Sequence, residues 1–103
     1  MSLCVVTTTL PGQAEAEALA RQLVEERLVA CVQMTPITSV YRWEGNVETA
    51  PEVRLDCKTT EAKREALLAR LSELHPYDVP EVLVTQVEAS EGYAAWAAAE
   101  TKA

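Results

Sequence analysis

One histidine, His75, and three cysteines, Cys4, Cys31 and Cys57, are the side chains of this 103-residue chain best suited to hold a metal ion. Neutral imidazole is the commonest protein metal ligand, and sulfur selects soft ions such as Cu(I). Their spacing contains no Cys-x-x-Cys and no second histidine. A closed four-ligand zinc site within one chain is therefore excluded, and a metal would be shared between subunits or bound at the surface. Each cysteine also fits as a small buried side chain. His75, between Leu74 and Pro76, can equally end a helix and hydrogen-bond its last carbonyls. Next along the chain come Tyr77, Asp78 and Glu81. Together with Lys58 they offer a phenol, carboxylates and an ammonium, which in a cleft beside His75 would bind a polar ligand or move protons.

Charge and composition narrow the partners. With 9 Lys and Arg against 16 Asp and Glu the formal charge is -7, which repels nucleic-acid phosphates and anionic membranes at long range. The same charge attracts cations, although a mild acidic excess is more often a solvated surface. No basic segment precedes the apolar run at the N-terminus, and that run stops at Thr7, so neither a secretory signal nor a membrane span is expected. An odd number of cysteines suits reduced thiols. These features point to a cytoplasmic protein.

The elements that must position these side chains follow from the hydrophobic pattern. Leu3, Cys4, Val5, Val6 and the threonines Thr7, Thr8 and Thr9 form a β-branched run expected to be a strand buried on both faces. Pro11 and Gly12 interrupt it, and a helix follows from Ala14, with Ala16, Leu19, Ala20, Leu23, Val24 and Leu28 on one stripe. Residues 30–43 read as a long strand that is bent at Pro36 or lies at a sheet edge, because proline donates nothing to a ladder. Glu44, Gly45, Asn46 and Val47 read as a hairpin turn in which Gly-Asn takes the positive φ. The return strand alternates, with Val53, Leu55 and Cys57 opposed to Glu52, Arg54, Asp56 and Lys58, and Pro51 marks a second bend. Thr59 or Thr60 is expected to cap a second helix bearing Leu67, Leu68, Leu71 and Leu74. Residues 79–87 read as a last strand, and Ser90 caps a final helix containing Tyr93 and Trp96.

This β-α-β-β-α-β-α order gives an α+β, ferredoxin-like domain with an extra C-terminal helix and a long ribbon between the second and third strands. Its helices cover one face, so the other is expected to be buried by other subunits. Fold alone selects no activity. RNA recognition by this fold needs aromatic stacking positions and a basic surface, and the chain has no Phe and a net negative charge. An acylphosphatase-type site needs an anion-holding Arg in the first strand-helix loop, and residues 9–13, Thr-Leu-Pro-Gly-Gln, contain no cation.

Four strings are unusual together: Leu28-Val29-Ala30-Cys31-Val32, Ser39-Val40-Tyr41-Arg42-Trp43-Glu44-Gly45, Lys58-Thr59-Thr60, and His75-Pro76-Tyr77-Asp78-Val79-Pro80-Glu81. In order and spacing, with Tyr93 and Trp96 after them, they resemble the CutA family of divalent-cation tolerance proteins over nearly the whole chain. The resemblance implies one CutA-like domain over 1–103, assembled as a tight homotrimer through its ribbons in the manner of the PII signalling proteins. It also implies a response to copper and other divalent metal ions, with no established catalysis and no obligatory cofactor. Cys31 belongs to the first string and joins His75 as the metal-ligand candidate, whereas Cys4 and Cys57 inherit no role. In an oligomer Tyr41, Trp43 and Trp96 are expected to fill subunit interfaces. The alternative reading is a small-ligand sensor or minor enzyme with an inter-subunit cleft around His75, Tyr77 and Glu81.

Overall fold

Among the described residues every strand joins one antiparallel sheet, and the chain order of the elements matches the expected topology. The computed structural model describes residues 1–102. Strand β1 (Ser2–Leu10) leads to helix α1 (Gln13–Glu25), the ribbon strands β2 (Cys31–Trp43) and β3 (Asn46–Thr59) follow, and then helix α2 (Arg64–Leu74), strand β4 (Leu83–Glu88) and helix α3 (Glu91–Glu100). The sheet order is β2-β3-β1-β4, so each β-α-β unit is split by a strand running the other way, as in ferredoxin-like domains.

Side-chain alternation assigns the faces. Val6, Leu10, Val53, Leu55 and Cys57 point toward α1 and α2 and form the main core with Leu19, Leu23, Leu67 and Leu71. On the opposite face, α3 packs Ala94 and Ala97 against Leu3 and Ala30. The second face is thus covered at one end by the chain's own last helix. Farther along that face Val5 and Thr7 are only half-buried.

Register explains both ribbon prolines. β2 pairs only with β3 and is a sheet edge, so Pro36 breaks no ladder on its outer side. β1 pairs with β3 only from Val53 onward, so Pro51 lies where β3 also has a free edge. Beyond that point residues 46–52 pair with β2 alone, and the ribbon projects from the body of the molecule, whose longest extent is 45 Å.

Several local details differ from the sequence expectations. Trp43 pairs with Asn46, so the two-residue loop is Glu44-Gly45, with φ of 49° and 83°, and Asn46 already belongs to β3. Two positive φ values match the twist of a β-ribbon, and the pairing forces Glu44, a non-glycine, into the left-handed region. No threonine hydroxyl caps α2: a 3-10 turn over Glu61–Lys63 precedes it, and the Thr59 hydroxyl instead donates to the Leu28 carbonyl at 2.7 Å. α1 stops at Glu25, before Leu28, because Arg27 adopts a left-handed φ of 59°. Its N–H reaches the Val24 carbonyl at 3.0 Å and that of Leu28 reaches Leu23 at 3.1 Å, a pairing that satisfies the last helix carbonyls. β4 starts at Leu83, four residues later than 79, because the segment carrying Pro76 and Pro80 lacks donors at two positions.

Candidate functional site

His75 is the C-cap of α2, and its backbone has turned extended because Pro76 disfavours a helical residue before it. The ring swings back over the end of β1. Its Nε2 lies 3.0 Å from the Thr9 carbonyl and 3.0 Å from the Thr8 hydroxyl, while Nδ1 accepts the Tyr77 backbone N–H at 3.2 Å. A carbonyl can only accept and an N–H can only donate, so the imidazole is neutral with its proton on Nε2. Burial holds its pKa below the ordinary 6.5, outweighing the Thr9 hydrogen bond and the Glu52 charge, which act the other way. Both nitrogens are committed to the fold.

Tyr77 continues the cluster. Its ring centroid is 5.0 Å from that of His75, tilted by 47°, and its hydroxyl donates to Glu52 Oε2 at 2.8 Å. Burial foremost, then the Glu52 hydrogen bond and the Glu52 charge, push the phenol upward, so it stays protonated and donating. The loop after α2 and the base of the ribbon therefore meet at Tyr77.

Of the other proposed cleft residues, Asp78 and Glu81 are exposed in the irregular segment before β4. Lys58 lies elsewhere. It is opposite both Val5 and Cys31 in the sheet, and its ammonium hydrogen-bonds the Gln33 side-chain carbonyl. The carboxylate that meets Tyr77 is Glu52, which in sequence is one charged residue of an alternating strand. Nothing in its spacing pointed to a residue 25 positions away.

Cys31 shares a face with Lys58 and Val5, while His75 contacts Thr8 on the helix-covered face. Thr9 is four residues beyond Val5, about 13 Å along the strand. One chain does not bring Cys31 and His75 together, and no cluster of three or more His, Cys, Asp or Glu suited to a metal occurs among the described residues. Cys31 is half-buried beside the Tyr93 phenol, whose pKa rises through burial and then through that sulfur. Cys4 and Cys57 are fully buried. Burial and the Glu61 carboxylate, 3.0 Å from its sulfur, push the Cys4 thiol up to about 11, and burial foremost pushes Cys57 up to about 12. Neither offers a thiolate at neutral pH.

Large apolar side chains are exposed on the ribbon and α3, with Val40 67% exposed, Val47 65%, Trp43 45%, Tyr41 44% and Trp96 44%, and also before and within β4, at Val79 and Leu83. A groove of about 610 Å³ beside the free edge of β2 is lined by Ala20, Val24, Val32 and Met34, with Glu17, Arg21 and Glu25 around it. No described helix is long and apolar enough to cross a membrane.

Comparison with known proteins agrees with this architecture. The divalent-cation tolerance protein CutA of Pyrococcus horikoshii is 40% identical over 97% of this chain and 99% of its own. The crystal structure of CutA1 from that organism superposes with a TM-score of 0.94. A PII-like protein CutA from Nostoc sp. PCC 7120, in its apo form, is 38% identical with a TM-score of 0.91, over 96% of this chain and 97% of that one. A periplasmic divalent cation tolerance protein CutA from Archaeoglobus fulgidus is 29% identical with a TM-score of 0.92, covering 97% and 99%. The model of the CutA1 divalent ion tolerance proteins matches residues 4–100, and the chain belongs to that family.

Proposed function

We propose that this chain is a homotrimeric divalent-cation tolerance protein, built from one domain over residues 1–103, that responds to copper without catalysing a reaction. The observation that carries the assembly is the projecting ribbon, which holds Tyr41, Trp43, Val40 and Val47 in solvent on strands with unpaired edges. Exposed edges of this kind seek partners, and the groove beside β2 supports a second copy seated there. Trp96, on α3, lies at the other end of β2, beside Val24, Val29 and Ala30, and offers a second apolar contact to a partner copy. Three unpaired cysteines support a reducing, cytoplasmic setting.

Copper binding rests on Cys31 as the accessible soft ligand, with the remaining ligands supplied by neighbouring copies or solvent. His75 acts in this account as a neutral brace that orders the Tyr77 loop. Titration of Cu(I) and Cu(II) into wild type, Cys31→Ser and His75→Ala, with chelator competition, is the test. Loss of Cu(I) stoichiometry in Cys31→Ser alone is expected. Unchanged stoichiometry in Cys31→Ser removes the copper site from this account.

A second reading, a small-ligand sensor at the His75, Tyr77 and Glu81 end of the molecule, is favoured by the Tyr77–Glu52 hydrogen bond. That contact joins the ribbon base to the loop carrying Glu81, so occupancy there would act on the element that assembles the protein.

A further inference from the structure

Residues 76–82 join α2 to β4 with few ties. Among the described residues none of them takes part in a backbone–backbone hydrogen bond, and Pro76, Asp78, Val79, Glu81 and Val82 are exposed. The segment is held at Tyr77, whose N–H reaches His75 Nδ1 at 3.2 Å and whose hydroxyl reaches Glu52 Oε2 at 2.8 Å. His75 in turn is anchored to β1, with Nε2 3.0 Å from the Thr9 carbonyl. A stretch with so little buried surface and so few backbone bonds opens at far lower cost than the core.

One of the two ties depends on a proton. Nδ1 accepts only while the ring is neutral; in the imidazolium both nitrogens donate, and an Nδ1–H then faces the Tyr77 N–H. The Thr9 carbonyl still accepts from Nε2, so the charged ring keeps its hold on β1 and lets go of the segment. The charge that acts on the ring is that of Glu52 on β3. Its own segment sets the Tyr77 phenol beside it, and β1 offers the Thr8 hydroxyl and the Thr9 carbonyl, which do not titrate in this range. Glu52 favours the charged ring and burial opposes it, with burial the larger effect.

We propose that His75 and Tyr77 form a proton-operated latch: the neutral imidazole fastens the segment before β4 to the base of the ribbon, and protonation lets that segment open while the core stays folded. The open segment returns the ring to water, where its pKa is the ordinary 6.5. The open population is therefore constant above about pH 6.5 and rises as pH falls, approaching tenfold per pH unit, until the ring of the closed form titrates as well. Opening frees Glu52 next to the point where β3 leaves β1 and becomes ribbon, and it unties the residues that lead into β4, an edge strand. Acid thus acts on two surfaces that a partner copy would meet.

Amide hydrogen exchange of the full chain, followed by NMR and corrected for the intrinsic pH dependence of exchange, tests the latch. Between about pH 7.5 and pH 5.5 the Tyr77 N–H of wild type is expected to lose about threefold to tenfold in protection. The Leu55 N–H, in the core, should keep its protection over the same range. His75→Gln offers a side-chain acceptor and donor without a titrating ring, and should protect Tyr77 at neutral pH with no loss on acidification. Glu52→Gln keeps an acceptor for the phenol and should retain the wild-type pH dependence. Tyr77 protection that does not fall with pH overturns the proposal. A fall shared equally by Leu55 overturns it too, because the whole domain is then opening. So does a fall that survives in His75→Gln or vanishes in Glu52→Gln, since the proton then binds elsewhere. Should His75→Gln lose Tyr77 protection already at neutral pH, the wild-type ring resonances decide: the loss of protection must level off where they titrate, and a loss that continues below that titration overturns the latch.

Discussion

Protonating His75 would set an Nδ1–H against the Tyr77 N–H that it now accepts, donor against donor. Burial lowers its pKa in the folded chain from 6.5, so the unfolded chain takes up this proton at higher pH than the folded one does. Stability from the neutral ring is therefore complete above about pH 6.5 and is lost as pH falls from there through the folded value. Melting temperatures taken between about pH 7.5 and pH 5.5 should fall more steeply for wild type than for His75→Gln. Parallel slopes would show that this imidazole does not carry the effect. At this scale the sequence was partly legible. Pro76 and the lone histidine marked a helix end, but Tyr77's partner Glu52 comes from a strand whose fold-back no local spacing encodes. Cys31 and His75 both read as metal-ligand candidates in the sequence, one a soft sulfur and the other an imidazole, and the sheet register separates them by face and by four strand positions.

Elements were legible wherever a periodic apolar pattern met a strong breaker. α1, the ribbon and α3 with its Ser90 cap, whose oxygen accepts the Tyr93 N–H at 3.4 Å, all follow that rule. The turn did not, because ladder register overrode the preference of Gly-Asn for positive φ and placed Glu44 there instead. Replacing Glu44 by Asn should relieve that backbone and stabilise the protein by about 0.5–1 kcal/mol, measured as a rise in the denaturant midpoint. No rise would mean that the turn is set by contacts other than its own backbone preference. In the core, Leu55 is fully buried between the sheet and the helices, and Leu55→Ala should cost about 2–5 kcal/mol. A cost below 1 kcal/mol would contradict the assigned strand faces. The late start of β4 and the early end of α1 were hidden because one depends on prolines that remove donors and the other on a left-handed Arg27.

For the whole molecule, the exposed ribbon, the free β2 edge and the adjoining groove leave apolar surface and unpaired backbone in places that a partner copy would cover. A negative charge at position 41 belongs to this scale, since Tyr41 lies on the ribbon and is 44% exposed. Tyr41→Glu should shift the protein toward smaller species on dilution, visible as a concentration-dependent mass, while wild type stays constant. Unchanged assembly in that variant would move the interface off this part of the ribbon. The proposed trimer is reached from the sequence only through the family resemblance, because composition and periodicity describe one chain and not the symmetry that relates copies. The most direct measurement is therefore the native mass by light scattering at micromolar concentration. The account predicts three times the 11.3 kDa of one chain, and a stable mass of 11.3 kDa would contradict it.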